Sequence, residues 1–415
     1  MQIDRVPEAL VDIDTAAEAV GTDFWPVNQR IHDNPELAWH EFLAHDVLTA
    51  FMETQPGWNV KRSVYGLETA WIAEFDSGAP GPVVSFNAEY DSLPGIGHAC
   101  GHNLIATSSV VGASAAARVM AAQKLPGKIV LYGTPAEENG GGKVKLLEAG
   151  AYKDYKVDLS LISHPNIQPS SARMGTTAIS TFKVEYFGVA AHAAANPWLG
   201  INALDAMVQG YTNFSMLRQQ TVPGEIIQGY ITHGGDATNI IHKYAAGEFT
   251  VRADSAPRLE TLRAQVIRCF QAGALATGAR VAITDLAAYK NHISNGPMAD
   301  AFTRYYNGLG KDHVIATDAD KDAANGKTQA STDQGDVSHA IPSISPMYAI
   351  EAGPGGQGPH NPGFAKSAGT KASYARALRV GKGLAGVAID VLRDERFLAE
   401  IKRSWEQDMK NSRST

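Results

Sequence analysis

Only two cysteines, Cys100 and Cys269, occur in 415 residues. That is too few for a disulfide framework, so a reducing, intracellular setting is expected. No cluster of Lys or Arg stands out and the net charge is −7, which argues against a nucleic-acid partner, since such binding rests on concentrated positive charge. No run approaches the roughly 20 uninterrupted apolar residues of a membrane span, so no membrane partner is expected. The first residues carry Asp4, Glu8, Asp12 and Asp14 and lack the basic start and apolar core of a signal peptide. A cytoplasmic location is the expectation. Internal repeats and low-complexity tracts are lacking as well. What remains is 44% hydrophobic and 19% charged, a globular composition in a chain long enough for two domains.

What the chain does hold is centred on Gly97-His98-Ala99-Cys100-Gly101-His102-Asn103. A thiolate and an imidazole two residues apart on a glycine-loosened loop can converge on one soft or borderline metal ion. The plainer alternative is a buried cysteine in a turn between incidental histidines. An Ala-rich helical run to Gln123 comes next, its start lying against the loop. Asp14-Thr15 reads as a helix cap opening an amphipathic stretch towards Arg30-Ile31, with Pro26 as an interruption or kink. A second helical pattern runs from Glu41 to about Met52, and His32, His40 and His45 read as surface or supporting residues.

Three short apolar strands each run into polar residues: Val83–Phe86 into Asn87–Asp91, Lys128–Tyr132 into Gly133–Glu138, and Leu159–Ile162 into Ser163-His164-Pro165. Helical segments between them argue for a mostly parallel sheet, whose ligand crevice lies beyond the carboxyl ends of the strands. Adjacent Glu137 and Glu138 could be ordinary solvated charge. Following an apolar strand and Pro135, one of them can instead bind metal while the other takes the proton of an activated water.

Six stretches carry a resemblance: His32–Leu37, Glu89–Pro94, His98–Asn103, Pro135–Glu138, Gly188–Ala193 and Ser331–His339. Together they are similar to the amidohydrolase branch of the binuclear-metal aminoacylase and carboxypeptidase superfamily. That branch includes indole-acetyl-amino-acid, hippurate and aminobenzoyl-glutamate hydrolases and the β-alanyl-lysine or Xaa-Arg dipeptidases. The resemblance implies metal ligands Cys100, His102, Glu138, His164 and His360 for two divalent ions, Zn²⁺ or Mn²⁺. It implies Glu137 as general base and acid, His192 on the developing oxyanion, Asn239 on the substrate, and Asp91 orienting a ligand. His360, in a Gly/Pro-rich loop, would read by itself as a solvated histidine. The chain departs from many members in having Asn103 where they have Asp, and Ile240-Ile241-His242-Lys243 where they have Val-Ile-Pro-Asp. The first departure points to the dipeptidase-like members; the second bears on substrate recognition near Asn239.

From about Ala178 the texture changes to a β-α-β-β-α-β order. The expectation is an α/β fold: a mostly parallel-sheet metallopeptidase domain over 1–177 and 289–415, with a ferredoxin-like α+β lid and dimerisation domain inserted over 178–288. Asp318–Gln329 reads as an exposed loop, Lys371–Phe397 as a long closing helix, and Lys410–Thr415 as frayed. The expected activity is metal-dependent hydrolysis of the amide bond of a dipeptide or N-acyl amino acid, in a homodimer formed through the inserted domain. The alternatives are a specialised biosynthetic or detoxifying amidohydrolase, or an amide-forming enzyme, and a non-catalytic metal-binding dimer scaffold; the scaffold would need the ligands but not Glu137.

Overall fold

The computed structural model describes residues 7–414. They form two compact units, one of residues up to Thr176 with His292–Lys410, the other mainly of Thr177–Asn291.

The first unit opens with α1 (Leu10–Asp33) and α2 (Phe42–Thr54). The six-stranded sheet then draws on β1 (Trp58–Arg62), β2 (Trp71–Asp76), β3 (Val83–Glu89), β4 (Lys128–Thr134) and β5 (Leu159–Leu161). Between β3 and β4 runs α3 (His102–Gln123), and between β4 and β5 lie α4 (Gly142–Glu148) and α5 (Ala151–Asp154); β6 (His164–Asn166) comes after β5. The order is β1-β2-β4-β3-β5 and, last, a strand from the far end of the chain, Ser343–Ile344. The β4–β3, β3–β5 and final pairings are parallel, while β1 and β2 run antiparallel at one edge. Parallel neighbours leave β3 buried along its whole length, which is why it reads as a continuous apolar run.

The second unit contains β7 (Ala178–Phe187), β8 (Ala191–His192), α6 (Ala203–Leu217), β9 (Ile226–His233), β10 (Ile240–Ile241), β11 (Tyr244–Ala253), α7 (Ala256–Thr277) and β12 (Arg280–Tyr289). Its antiparallel sheet has the order β12-β7-β11-β9. Residues Ala178, Phe182, Val184 and Tyr186 on one face of β7 are buried with Phe214 of α6 and Phe270 of α7 in a core of their own. A period of two on the strands and apolar faces on two helices produce this two-layer unit.

The chain then returns to the first unit with α8 (Gly296–Gly308), α9 (Ala319–Gly326), α10 (Gln334–Ala340), β13 (Ser343–Ile344), β14 (Met347–Ala349), α11 (Pro362–Ala368), α12 (Lys371–Arg393) and α13 (Glu395–Ser414). By length and composition α3 could cross a membrane, although small polar residues interrupt its apolar run, but 89% of its apolar window is buried inside the fold. It crosses α12 at glycines: a Cβ on Gly112 would lie 2.8 Å from the Gly381 oxygen, and one on Gly381 2.8 Å from the Ser108 oxygen.

Several local expectations are revised. Asp14 and Thr15 lie inside α1, which starts at Leu10; Thr15 Oγ1 donates to Val11 O, and Asp14 pairs with Lys382. Pro26 sits within α1 without ending it. Asp318–Gln329 contains α9 because the Asp318 side chain accepts the Lys321 N–H and caps it. The closing helix stops at Arg393, with Asp394 extended between it and α13, and α13 continues through Lys410 to Ser414, while Thr415 lies outside the described residues.

Candidate metal centre

Strand ends deliver the site. Glu89 closes β3 and Asp91 lies just beyond it; Glu137 and Glu138 come after β4; His164 opens β6; Cys100 and His102 stand at the start of α3. Gly101 makes the last turn possible. Its φ is +77°, and a Cβ there would come 2.6 Å from Pro165 Cγ, so only glycine fits without strain.

Cys100 Sγ lies 3.3 Å from His164 Nε2. Donor atoms of Cys100, His102 and His164 fall within 4.8 Å of one another, as do those of Cys100, Glu138 and His360. The five expected ligands are therefore brought together in two sets that share the thiol. A third set joins Glu89, His102 and Glu137. His360, half-exposed, is no free loop residue: its backbone N–H donates to Ala99 O at 2.8 Å, and its Nε2 is 3.5 Å from Glu138 Oε2.

Asp91 bonds two residues of this cluster. Its Oδ1 accepts from His102 Nδ1 at 2.9 Å, and its Oδ2 accepts the Glu138 N–H at 2.9 Å. With the Nδ1 proton committed to a carboxylate, the His102 Nε2 lone pair faces the cluster. His102 Nε2, Glu138 Oε1 and Glu89 Oε2 are buried with no hydrogen-bond partner. Three orphaned donor atoms around one point are costly unless something binds there. One thiolate, three imidazoles and carboxylates suit a borderline divalent ion.

The two adjacent glutamates are driven apart. Burial first, then Glu89 and Glu138, push Glu137 well above the usual carboxylate range. Burial also opposes ionisation of Glu138, but His360 and His102 outweigh it and lower Glu138 to about 2. Two carboxylates held in opposite protonation preference are what a proton carrier beside a ligand requires. The cysteine thiol is raised by burial and then by Glu138.

The turn bearing this pair is strained and held. Ala136 has φ +58°, unusual for a residue with a Cβ, and its N–H donates to Glu41 Oε1 at 2.8 Å. Glu41 Oε2 accepts from Thr69 Oγ1, and burial, with Asp91 nearby, raises Glu41 to about 7. Sequence reasoning missed Glu41, which reads as a helix-start residue. It also assigned nothing to Glu89, Lys143 and Asp333, although Glu89 and Asp333 lie inside two of the six stretches that carry the family resemblance.

His192 and Asn239 belong to the second unit. Pairing of β8 with β10 sets His192 opposite Ile240, and Ala193 N donates to Asn239 O at 2.9 Å. His192 Nδ1 accepts the Ala194 and Ala195 N–H groups at 3.2 and 3.1 Å, so in the neutral ring the proton sits on Nε2, on an exposed side chain. His32 and His45 are supporting residues, bonded to Ala365 O and Asp46; His40 is held by Ala38 O.

Residues 83–379 match the family described as Peptidase family M20/M25/M40. The chain belongs to this family. It is a metal-dependent hydrolase of the M20 type. The mouse (Mus musculus) Xaa-Arg dipeptidase is 39% identical over 405 residues, covering 95% of this chain and 90% of that one. The human (Homo sapiens) Xaa-Arg dipeptidase is 38% identical over 411 residues, with the same coverage of 95% and 90%. Among solved structures, a Bacillus subtilis M20 protein described as a dinuclear metal-binding peptidase has a TM-score of 0.68 at 20% identity, covering 91% of this chain and 99% of that one. The M20 fold thus accounts for a mostly parallel sheet carrying its chemistry at strand ends.

Proposed function

We propose that the protein hydrolyses dipeptides whose C-terminal residue is basic, using two divalent ions, Zn²⁺ or Mn²⁺, held by Cys100, His102, Glu138, His164 and His360. The observation that carries this is the pair of ligand sets sharing Cys100, with Glu137 raised beside a lowered Glu138. The basic C-terminal residue follows the mouse relative, matched along nearly the whole chain. Ions held by Cys100, His102, Glu138, His164 and His360 would supply Lewis acidity and would lower the pKa of a nearby water. Glu137 is the residue that would take a proton from the attacking water and hand it to the leaving amine. His192 Nε2–H donates to the oxyanion as it forms, and Asn239, tied to the same short ladder, binds the substrate. Asp91 keeps His102 in the ligating tautomer.

A homodimer through the second unit is part of this reading, supported by exposed Val208 and Met216 on α6 and Leu275 on α7. So is a reducing cytoplasm, where Cys100 stays unoxidised and free to ligate.

The test is amine release from dipeptides and N-acyl amino acids after chelation and after Mn²⁺ or Zn²⁺ add-back. Chelator-reversible cleavage, fastest with Arg or Lys at the C-terminus, is expected. Cleavage indifferent to chelator, or confined to N-acyl amino acids, would overturn the metal or the substrate assignment respectively.

A further inference from the structure

Beyond the five ligands, the first unit buries a lysine that the proposed reaction does not use. Lys143, on the first turn of α4, is fully buried. Its Nζ lies 2.5 Å from Asp333 Oδ1 and 2.5 Å from Glu89 Oε1. The other Asp333 oxygen accepts the Lys143 backbone N–H at 2.9 Å, so Asp333 grips the residue at both ends. Taking an ammonium and two carboxylates out of water is expensive, and one carboxylate would balance one lysine. Here there are two, and the surplus sits on Glu89.

Glu89 is 1% exposed and ends β3. Only one of its oxygens is used by Lys143. Oε2 has no hydrogen-bond partner and lies 3.6 Å from His102 Nε2, which has none either. If the trio were merely a brace, Glu89 would turn both oxygens to donors. Its geometry is that of a carboxylate presented to something electropositive at the His102 edge of the centre.

We infer that Glu89 supplies a further ligand, through Oε2, to the ion held by His102, and that Lys143, gripped by Asp333, positions it. This rests on the proposed metal centre. Monodentate carboxylate ligation with the second oxygen hydrogen-bonded is a common arrangement, and outer groups that hold a ligand typically change metal affinity about 10–100-fold. Lys143 and Asp333 act through Glu89 and are positioning residues.

The experiment uses the full-length protein stripped of metal and titrated with Co²⁺, followed by calorimetry and visible absorption. Two binding steps are expected for the parent protein. Glu89→Gln should weaken one step at least about tenfold and shift the d–d bands, while the thiolate-to-cobalt band from Cys100 persists. Lys143→Met should weaken the same step. Glu89→Asp keeps the charge and the Lys143 partner, so it guards against a folding failure; it should weaken that step by a smaller factor. Parent-like affinity and spectrum in Glu89→Gln or Glu89→Asp would overturn the assignment of Glu89 and leave the five-ligand centre standing. A parent protein that takes up no Co²⁺ would overturn the metal centre itself, and this inference with it.

Discussion

Glu41 Oε1 accepts the Ala136 N–H at 2.8 Å across 95 residues of chain. The bond ties the start of α2 to the strained residue before the Glu137-Glu138 pair, and the Glu41 carboxyl is raised to about 7. A raised acid favours the folded state while protonated. Its contribution is full below about pH 4.5 and is lost as pH rises through about 7. Glu41→Gln keeps an acceptor for Ala136 and removes the titration. The stability difference between parent and variant should shift by about 3 kcal/mol in the variant's favour between pH 4.5 and 8. Urea midpoints across that range check this; a pH-independent difference would remove Glu41 from the titration.

Glu137→Gln should retain both ions, since Glu137 is not among the five ligands, and lower kcat by at least about 10³-fold. Metal content and steady-state rates on one dipeptide are the paired measurements. Appreciable turnover in the metal-loaded variant would take the proton transfer away from Glu137.

His192→Ala should lower kcat about 10²–10³-fold with a smaller change in KM, as expected for a donor that acts mainly on the transition state. The tautomer set by Ala194 and Ala195 leaves Nε2–H as the useful group. A change confined to KM would make His192 a binding residue only.

The departure at Asn103 has a physical explanation. Its Nδ2 donates to Asn28 Oδ1 and to Ala368 O, both at 3.0 Å, which a carboxylate could not do. Asn103→Asp should cost about 2 kcal/mol or more near neutral pH, and less in acid, where the introduced carboxyl can be protonated. Equal urea midpoints for variant and parent at pH 7 would refute this.

Stripping the metal should lower Tm by several degrees, because His102 Nε2, Glu138 Oε1 and Glu89 Oε2 are then buried without partners and the ligand-binding free energy is lost from the folded state. Thermal scans with chelator and after Mn²⁺ return decide it. An unchanged Tm would mean that no ion contributes to the fold.

Much of this architecture was readable from the sequence because the strands are parallel and buried. Val83–Phe86, Lys128–Tyr132 and Leu159–Ile162 show themselves as apolar runs, and the polar residues just beyond each run form the site. His192 and Asn239 were found by resemblance, and the β8–β10 ladder with the Ala193 to Asn239 bond brings the two residues close. Lys143 was illegible for a different reason. It stands in Lys143–Glu148, where a lysine at a helix start reads as solvated, and only the fold sets Asp333 against it from 190 residues away. Glu41 was hidden in the same way, its partner Ala136 lying far along the chain. The polar run Asp318–Gln329 misled because composition was weighed above the capping oxygen of Asp318.

The close crossing of α3 and α12 at Gly112 and Gly381 also fixes where the start of α3 lies. His102 stands ten residues before Gly112 (102 to 112) on the same helix, about 15 Å at 1.5 Å per residue. A tilt of roughly 3° about that crossing would carry the helix start by about 0.8 Å, more than metal ligation tolerates. Added bulk at either glycine, deep in the core, would therefore disturb the reaction centre as well as the packing.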